Sequence, residues 1–211
     1  MRKIYIVVLT LLAYSGYAQQ KKVDGAKTPP AIYILNVNGK EYSVNEGEEL
    51  KLDGNLNNPT VTVKTADYRK FDNGTVSFNY KSNATYQFEE TSGNKTWTFN
   101  GSDDVVFLFE MAVKVKIEAI VDQVVSQFGK KNCKVETANK KIGDKMVTGK
   151  KINVTLAGQK LVQEYYDLAL SDSKTFILAF QNLRKDDGSM SKDGVEEADL
   201  VATTIKLDQR H

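Results

Sequence analysis

The sequence predicts an α+β protein, a mostly antiparallel sheet of six or more strands flanked by one long helix and a C-terminal helix. Three observations predict it. Short runs rich in β-branched and aromatic residues recur in both halves, separated by Asn-Gly, Asp-Gly and Ser-Gly punctuation. One stretch, Ile117 to Phe128, spaces its apolar residues at a helical period. A second helical stretch follows Asp193 near the C-terminus.

Taken in order, the chain opens with Arg2 and Lys3, an apolar run from Ile4 to Ala13, and small residues in Ser15-Gly16-Tyr17-Ala18. This reads as a secretory signal over residues 1–18, cleaved near Ala18/Gln19, with a periplasmic or extracellular destination. The apolar core is about half the roughly 20 residues of a spanning helix, so no transmembrane segment is expected in the mature chain. The Tyr17-Ala18-Gln19-Gln20 junction resembles signal peptides of Bacteroidetes-type bacteria. Residues 19–30, polar and ending in Pro29-Pro30, read as a flexible leader, and 31–208 as a single α+β domain.

Within that domain, Ile32 to Leu35 leads through Asn38-Gly39 into Glu41 to Val44, a hairpin with a type I′ turn. Residues 31–57 supply additional N-terminal strands, and Thr60 to Val63 is a further β-branched run. Asp72-Asn73-Gly74 turns the chain into Thr75 to Tyr80. Tyr86 and Phe88 alternate with polar neighbours, as one strand face requires, and Thr96 to Phe99 follows Ser92-Gly93-Asn94. Val105 to Phe109 is the most apolar strand and is expected at the centre of the sheet.

The helix is read from Ile117, Ile120, Val121, Val124, Val125 and Phe128, a single apolar stripe with Glu118, Asp122, Gln123 and Gln127 opposite. Gly129 fits the left-handed position after its end. Its β-branched content makes it a poor isolated helix, so it needs the sheet as a partner. Lys134 to Thr137, Met146 to Leu156, Leu161 to Leu170 and Thr175 to Phe180 then form a meander, with a turn at Ala157-Gly158. The last helix is expected to start at Asp193 as N-cap, with Glu196 three residues on. Val195, Ala198, Val201, Ala202 and Ile205 would face the sheet.

Phe71 followed by Ser77-Phe78-Asn79-Tyr80 resembles the opening of Mog1/PsbP-like domains. The order that follows is similar over about residues 58–208: an apolar strand, one helix, a long hairpin, Phe176 to Phe180, and a closing helix ending in Thr204 to Leu207. The resemblance implies an antiparallel sheet covered by helices, in a family of mostly non-enzymatic binding or assembly factors. Lys81 stands where that family usually has proline, and no functional residue carries over.

Residue types that are scarce exclude chemistries. Cys133 is the only cysteine and His211, the final residue, the only histidine. Ser-His-Asp and Cys-His catalysis and His/Cys zinc sites are therefore not expected, nor is any metal or other cofactor. Cys133 itself reads as a half-buried residue at a strand start. Arg2 and Lys3 account for two of the 29 basic residues, so the remaining chain balances its 27 acids. A neutral mature protein has no field to steer it onto nucleic acid. Asp186-Asp187-Gly188 through Glu197 fails as an EF-hand: counted from Asp187, Lys192 stands where glycine is needed and Ala198 where glutamate belongs. Asp103-Asp104 shows no spaced acid partner.

Two groups remain as candidate binding residues. Lysines crowd residues 130–151, and Lys140, Lys141, Lys150 and Lys151 could meet an anionic glycan, a lipid headgroup or an acidic protein in the cell envelope. They could equally cover a solvated strand edge. Trp97 and Tyr165, with Tyr80, Tyr86 and Tyr166, could form a stacking surface for a sugar or peptide, or pack in the core. Adjacent Tyr165 and Tyr166 must face opposite sides of a strand. The expected function is an exported, non-catalytic binding or assembly module; the alternative is a histidine-independent hydrolase acting on envelope or extracellular substrates.

Overall fold

Asn38 and Gly39 both take positive φ, 52° and 86°, the backbone that a two-residue Asn-Gly hairpin requires. In the computed structural model, which describes residues 27–54, 57–185 and 187–208, they join β1 (Ile32–Val37) to β2 (Lys40–Asn45) as the sequence expects. β3 (Val61–Thr65) pairs with the other edge of β1. The signal segment 1–18, the leader to residue 26, Asp186 and His211 lie outside the described residues.

β4 (Tyr68–Asp72) is a strand that sequence reasoning missed, because Phe71 is its one buried side chain. It forms a hairpin with β5 (Val76–Lys81), in which Val76, Phe78 and Tyr80 alternate inward. β6 (Thr85–Thr91), β7 (Asn94–Asn100) and β8 (Asp104–Met111) make a first meander. After α1 (Ile117–Phe128), which ends at Gly129 with φ 84°, comes a second meander. Its strands are β9 (Cys133–Ile142), β10 (Lys145–Leu156), β11 (Gln159–Asp167) and β12 (Thr175–Arg184). β9 and β12 run longer than the sequence suggested, since cross-strand pairing carries their polar ends along; β11 stops earlier, at Asp167.

The two meanders join along β8 and β12 into one seven-stranded antiparallel sheet, in the order β6-β7-β8-β12-β11-β10-β9. The central strand is thus β12, not β8. Both are buried on both faces, which is why both read as continuous apolar runs rather than alternating ones.

Each sheet face carries its own core. On one, Phe107, Ile152, Tyr165 and Ile177 meet Ile120, Val121, Val124 and Phe128 of α1. Burying each of these apolar side chains contributes roughly 1.5–3 kcal/mol. On the other lie α2 (Lys192–Thr204), β4, β5 and β13 (Lys206–Leu207), which pairs with β5. Phe99 is the hub of this second core, with ring centroids of Phe71, Phe78, Tyr80 and Tyr86 at 4.6 to 5.6 Å.

The start of α2 corrects the sequence expectation. Its N-cap is Ser191, whose hydroxyl accepts from Gly194 N at 3.1 Å, and Asp193 lies inside the first turn. The helical period sets which residues share the inward face. Val201 and Ala202 face the core as expected, and Ile205 follows them, but Val195 is exposed and Glu197 turns inward. Among the described residues, no helix is long and apolar enough to cross a membrane.

Candidate functional site

Glu197 is 1% exposed because it finishes a strand edge. β13 pairs with Ser77 and Val76, leaving the rest of that edge of β5 open. Helix α2 closes it with side chains: Thr204 Oγ1 accepts from Asn79 N at 2.9 Å, and Glu197 Oε2 accepts from Lys81 N at 2.9 Å. Lys81 then reaches back over the helix, its Nζ on Asp193 O at 3.1 Å and on Glu196 Oε2 at 3.3 Å. Burial pushes the Glu197 carboxyl up to about 7 against the Lys81 amide, and the nearby Asp104 adds to the rise.

Asp104 begins β8 and stands opposite Asn182 of β12. Asn182 Oδ1 accepts from Ser191 N at 3.2 Å, so this strand end fixes the entry of α2. Gly194 lets the helix come this close: a Cβ there would strike the Asn182 amide and stand 2.9 Å from Asp104 Cβ. Asp104 itself is 5% exposed, and its Oδ2 has no hydrogen-bond partner among the described residues. Such an orphaned oxygen costs about 1–3 kcal/mol, more when charged. Desolvation raises its pKa; Lys81 opposes the rise, and Asp193 and Asp103 add to it.

Asp104 borders two spaces, its carboxylate turned toward Gly101. One is a chamber of about 20 Å³ shared with Lys81, Gly101 and Glu197, room for about one water. The other is a cavity of about 150 Å³ under α2. Val106, Val162 and Phe180 of the sheet and Val195 and Ala198 of the helix give it apolar walls, with Lys140, Glu164, Asp199 and Met190 around them. Lys140 Nζ sits 3.3 Å from Asp199 and 5.2 Å above the Phe180 ring. Glu164 accepts from the Tyr166 hydroxyl at 2.9 Å and lies 3.9 Å from Lys151.

The four candidate lysines do not form one surface. Strand alternation puts Lys140 and Lys151 on the α2 side, with Asp199 and Glu164. Lys141 and Lys150 fall on the α1 side, where Lys150 pairs with Glu118 at 3.6 Å and Lys141 is exposed. The aromatic candidates are core residues. Trp97 is 4% exposed and packs on Phe71 and Phe88, and Tyr165 is 3% exposed with its hydroxyl donating to Gln163. Tyr166 does face the opposite side from Tyr165, so each completes one of the two cores. Cys133 is half-buried at the start of β9, as expected, and desolvation raises its thiol pKa.

Sequence reasoning missed Asp104 and Glu197 as a pair because they lie 93 positions apart and meet only through α2. The signal available was weak: a glutamate within an apolar helical stripe. Set against known proteins, the chain matches no family model and no curated protein. Among the described residues, no group of three or more His, Cys, Asp or Glu side chains could hold a metal ion.

Proposed function

We propose that this chain is an exported, non-catalytic binding module whose ligand seats in the cavity beneath α2. The observation that carries the reading is the cavity itself: about 150 Å³, apolar on floor and roof, with a few convergent polar groups. The Mog1/PsbP-like resemblance of residues 58–208 implies a family of mostly non-enzymatic binding or assembly factors, in keeping with this reading. The N-terminal signal pattern supports export. A hydrolase using Asp104 and Glu197 is the weaker reading, because Glu197 is sealed from solvent with both oxygens on the Lys81 amide.

The test is a titration of the isotope-labelled mature domain with n-pentanol and n-pentylamine, followed by amide shifts. Shifts should concentrate at Val162, Phe180, Val195 and Ala198, and Ala198→Phe should remove them by filling the space. Shifts scattered over the surface, or none, would contradict the proposal.

A further inference from the structure

We infer that two copies of this chain pair through the outer edge of β9, antiparallel and centred on Ala138, so that the sheet of one continues into the sheet of the other. This pairing is independent of the cavity beneath α2.

β9 ends the seven-stranded sheet, with β10 on one side and no described strand on the other. Its residues pair with β10 without a bulge, from Cys133↔Val154 to Ile142↔Lys145. Gly143 and Asp144 close that hairpin as a two-residue loop, with Gly143 at φ 58°. Residues flanking such a loop bond to each other, so Ile142 points its amide and carbonyl at β10. Alternation then turns the backbone groups of Val135, Thr137, Asn139 and Lys141 outward. No described strand, turn or loop bonds these outward groups. Such a row is a template for another strand.

Charge selects the occupant and the register. A two-fold pairing puts residue i opposite j and j opposite i. Centred on Ala138, it sets Glu136 against Lys140 twice, once on each side of the axis. These fall at non-hydrogen-bonded pairs, where side chains lie closest. Lys140 lies 3.3 Å from Asp199, and its three donors can serve a second carboxylate. Glu136 pairs with Lys134, but its side chain is 39% exposed and open to another cation. Other centres do worse. On Thr137, Lys134 meets Lys140; on Glu136 or Lys140, a charge meets itself; on Asn139, neither Glu136 nor Lys140 meets a charge. The lysines thus guard the edge against every register but one. The opposite edge of the sheet, β6, carries Glu89 and Glu90 with no base to answer them in a copy of itself.

The experiment is sedimentation velocity on the protein from micromolar to sub-millimolar concentration, with melting curves as the control for folding. The wild type should pass from monomer to dimer and stop there. Thr137→Pro removes an outward N–H and spares the pairing with β10, so it should stay monomeric throughout. Glu136→Lys and Lys140→Glu should each be monomeric alone, because each sets like charges face to face. Mixed in equal amounts they should dimerise, since each then answers the other. A monomeric wild type, a dimer that survives Thr137→Pro, or a mixture that does not pair would overturn the inference. So would a continuing series of larger species, the result of β9 adding to β6 of the next copy. Should one variant fail to fold, the wild type and the remaining variants still decide.

Discussion

The two faces of the seven-stranded sheet each bury an apolar core, the α2 face the more aromatic one, but treat polar groups differently. On the α1 face the buried polar groups close on themselves. Tyr165 donates to Gln163, and Gln163 donates to Gln181 across β11 and β12 at 2.8 Å. On the α2 face, Glu197 serves a strand edge, the Asn182 amide holds the helix entry, and Asp104 keeps an oxygen with no hydrogen-bond partner among the described residues. The difference separates two uses of one sheet. The α1 face closes these buried hydrogen bonds on itself, whereas the α2 face leaves an acceptor unmet and carries a cavity under its helix.

The comparison can be broken first on the dry side. Ile152, fully buried against α1, should cost about 2–5 kcal/mol when changed to alanine, read from denaturant melts. Pentylamine affinity should be unchanged in that variant, provided it remains folded. A large loss of binding would mean that the two faces are not independent.

A somewhat smaller effect sharpens the wet side. The folded pKa of Glu197, about 7, lies above the ordinary glutamate value of about 4.5. The folded state therefore holds this proton more tightly than the unfolded chain does. Stability should fall as pH rises between about 4.5 and 7 and level off above, a change of roughly 3 kcal/mol. Asp104, whose pKa is also raised, contributes with the same sign. Glu197→Gln keeps an acceptor for the Lys81 amide without the titration, so its profile should be shallower and its stability at pH 8 no lower than the wild type. A series of melting curves from pH 4 to 8 checks both; a wild-type profile that rises through that window would contradict the assignment.

Most of the fold was legible because its signals are local. Asn38-Gly39 dictates its hairpin within two residues, and the stripe from Ile117 to Phe128 dictates α1 within twelve. β4 escaped because a strand covered on one side by a single phenylalanine has almost no pattern to read. The site was the least legible part. Whether Ser191 or Asp193 caps α2 is decided by Asn182, which holds the Ser191 amide from β12. Glu197 faces inward because it lies one turn before buried Val201, and Val195 does not. A buried glutamate looks anomalous in sequence until its partner, a backbone amide 116 positions earlier, is known. The lysine run was plain to see, but a period of two distributes it over both faces, so its density along the chain did not mean density on a surface.

The central claim is that the α2 face, through the cavity beneath the helix, is the receiving side of the molecule. It is tested most directly by a crystal structure of the protein grown with n-pentylamine. The account predicts the amine beneath α2, its chain along Phe180 and Val162. An amine bound against α1 instead, or a cavity without one at saturating concentration, would contradict it.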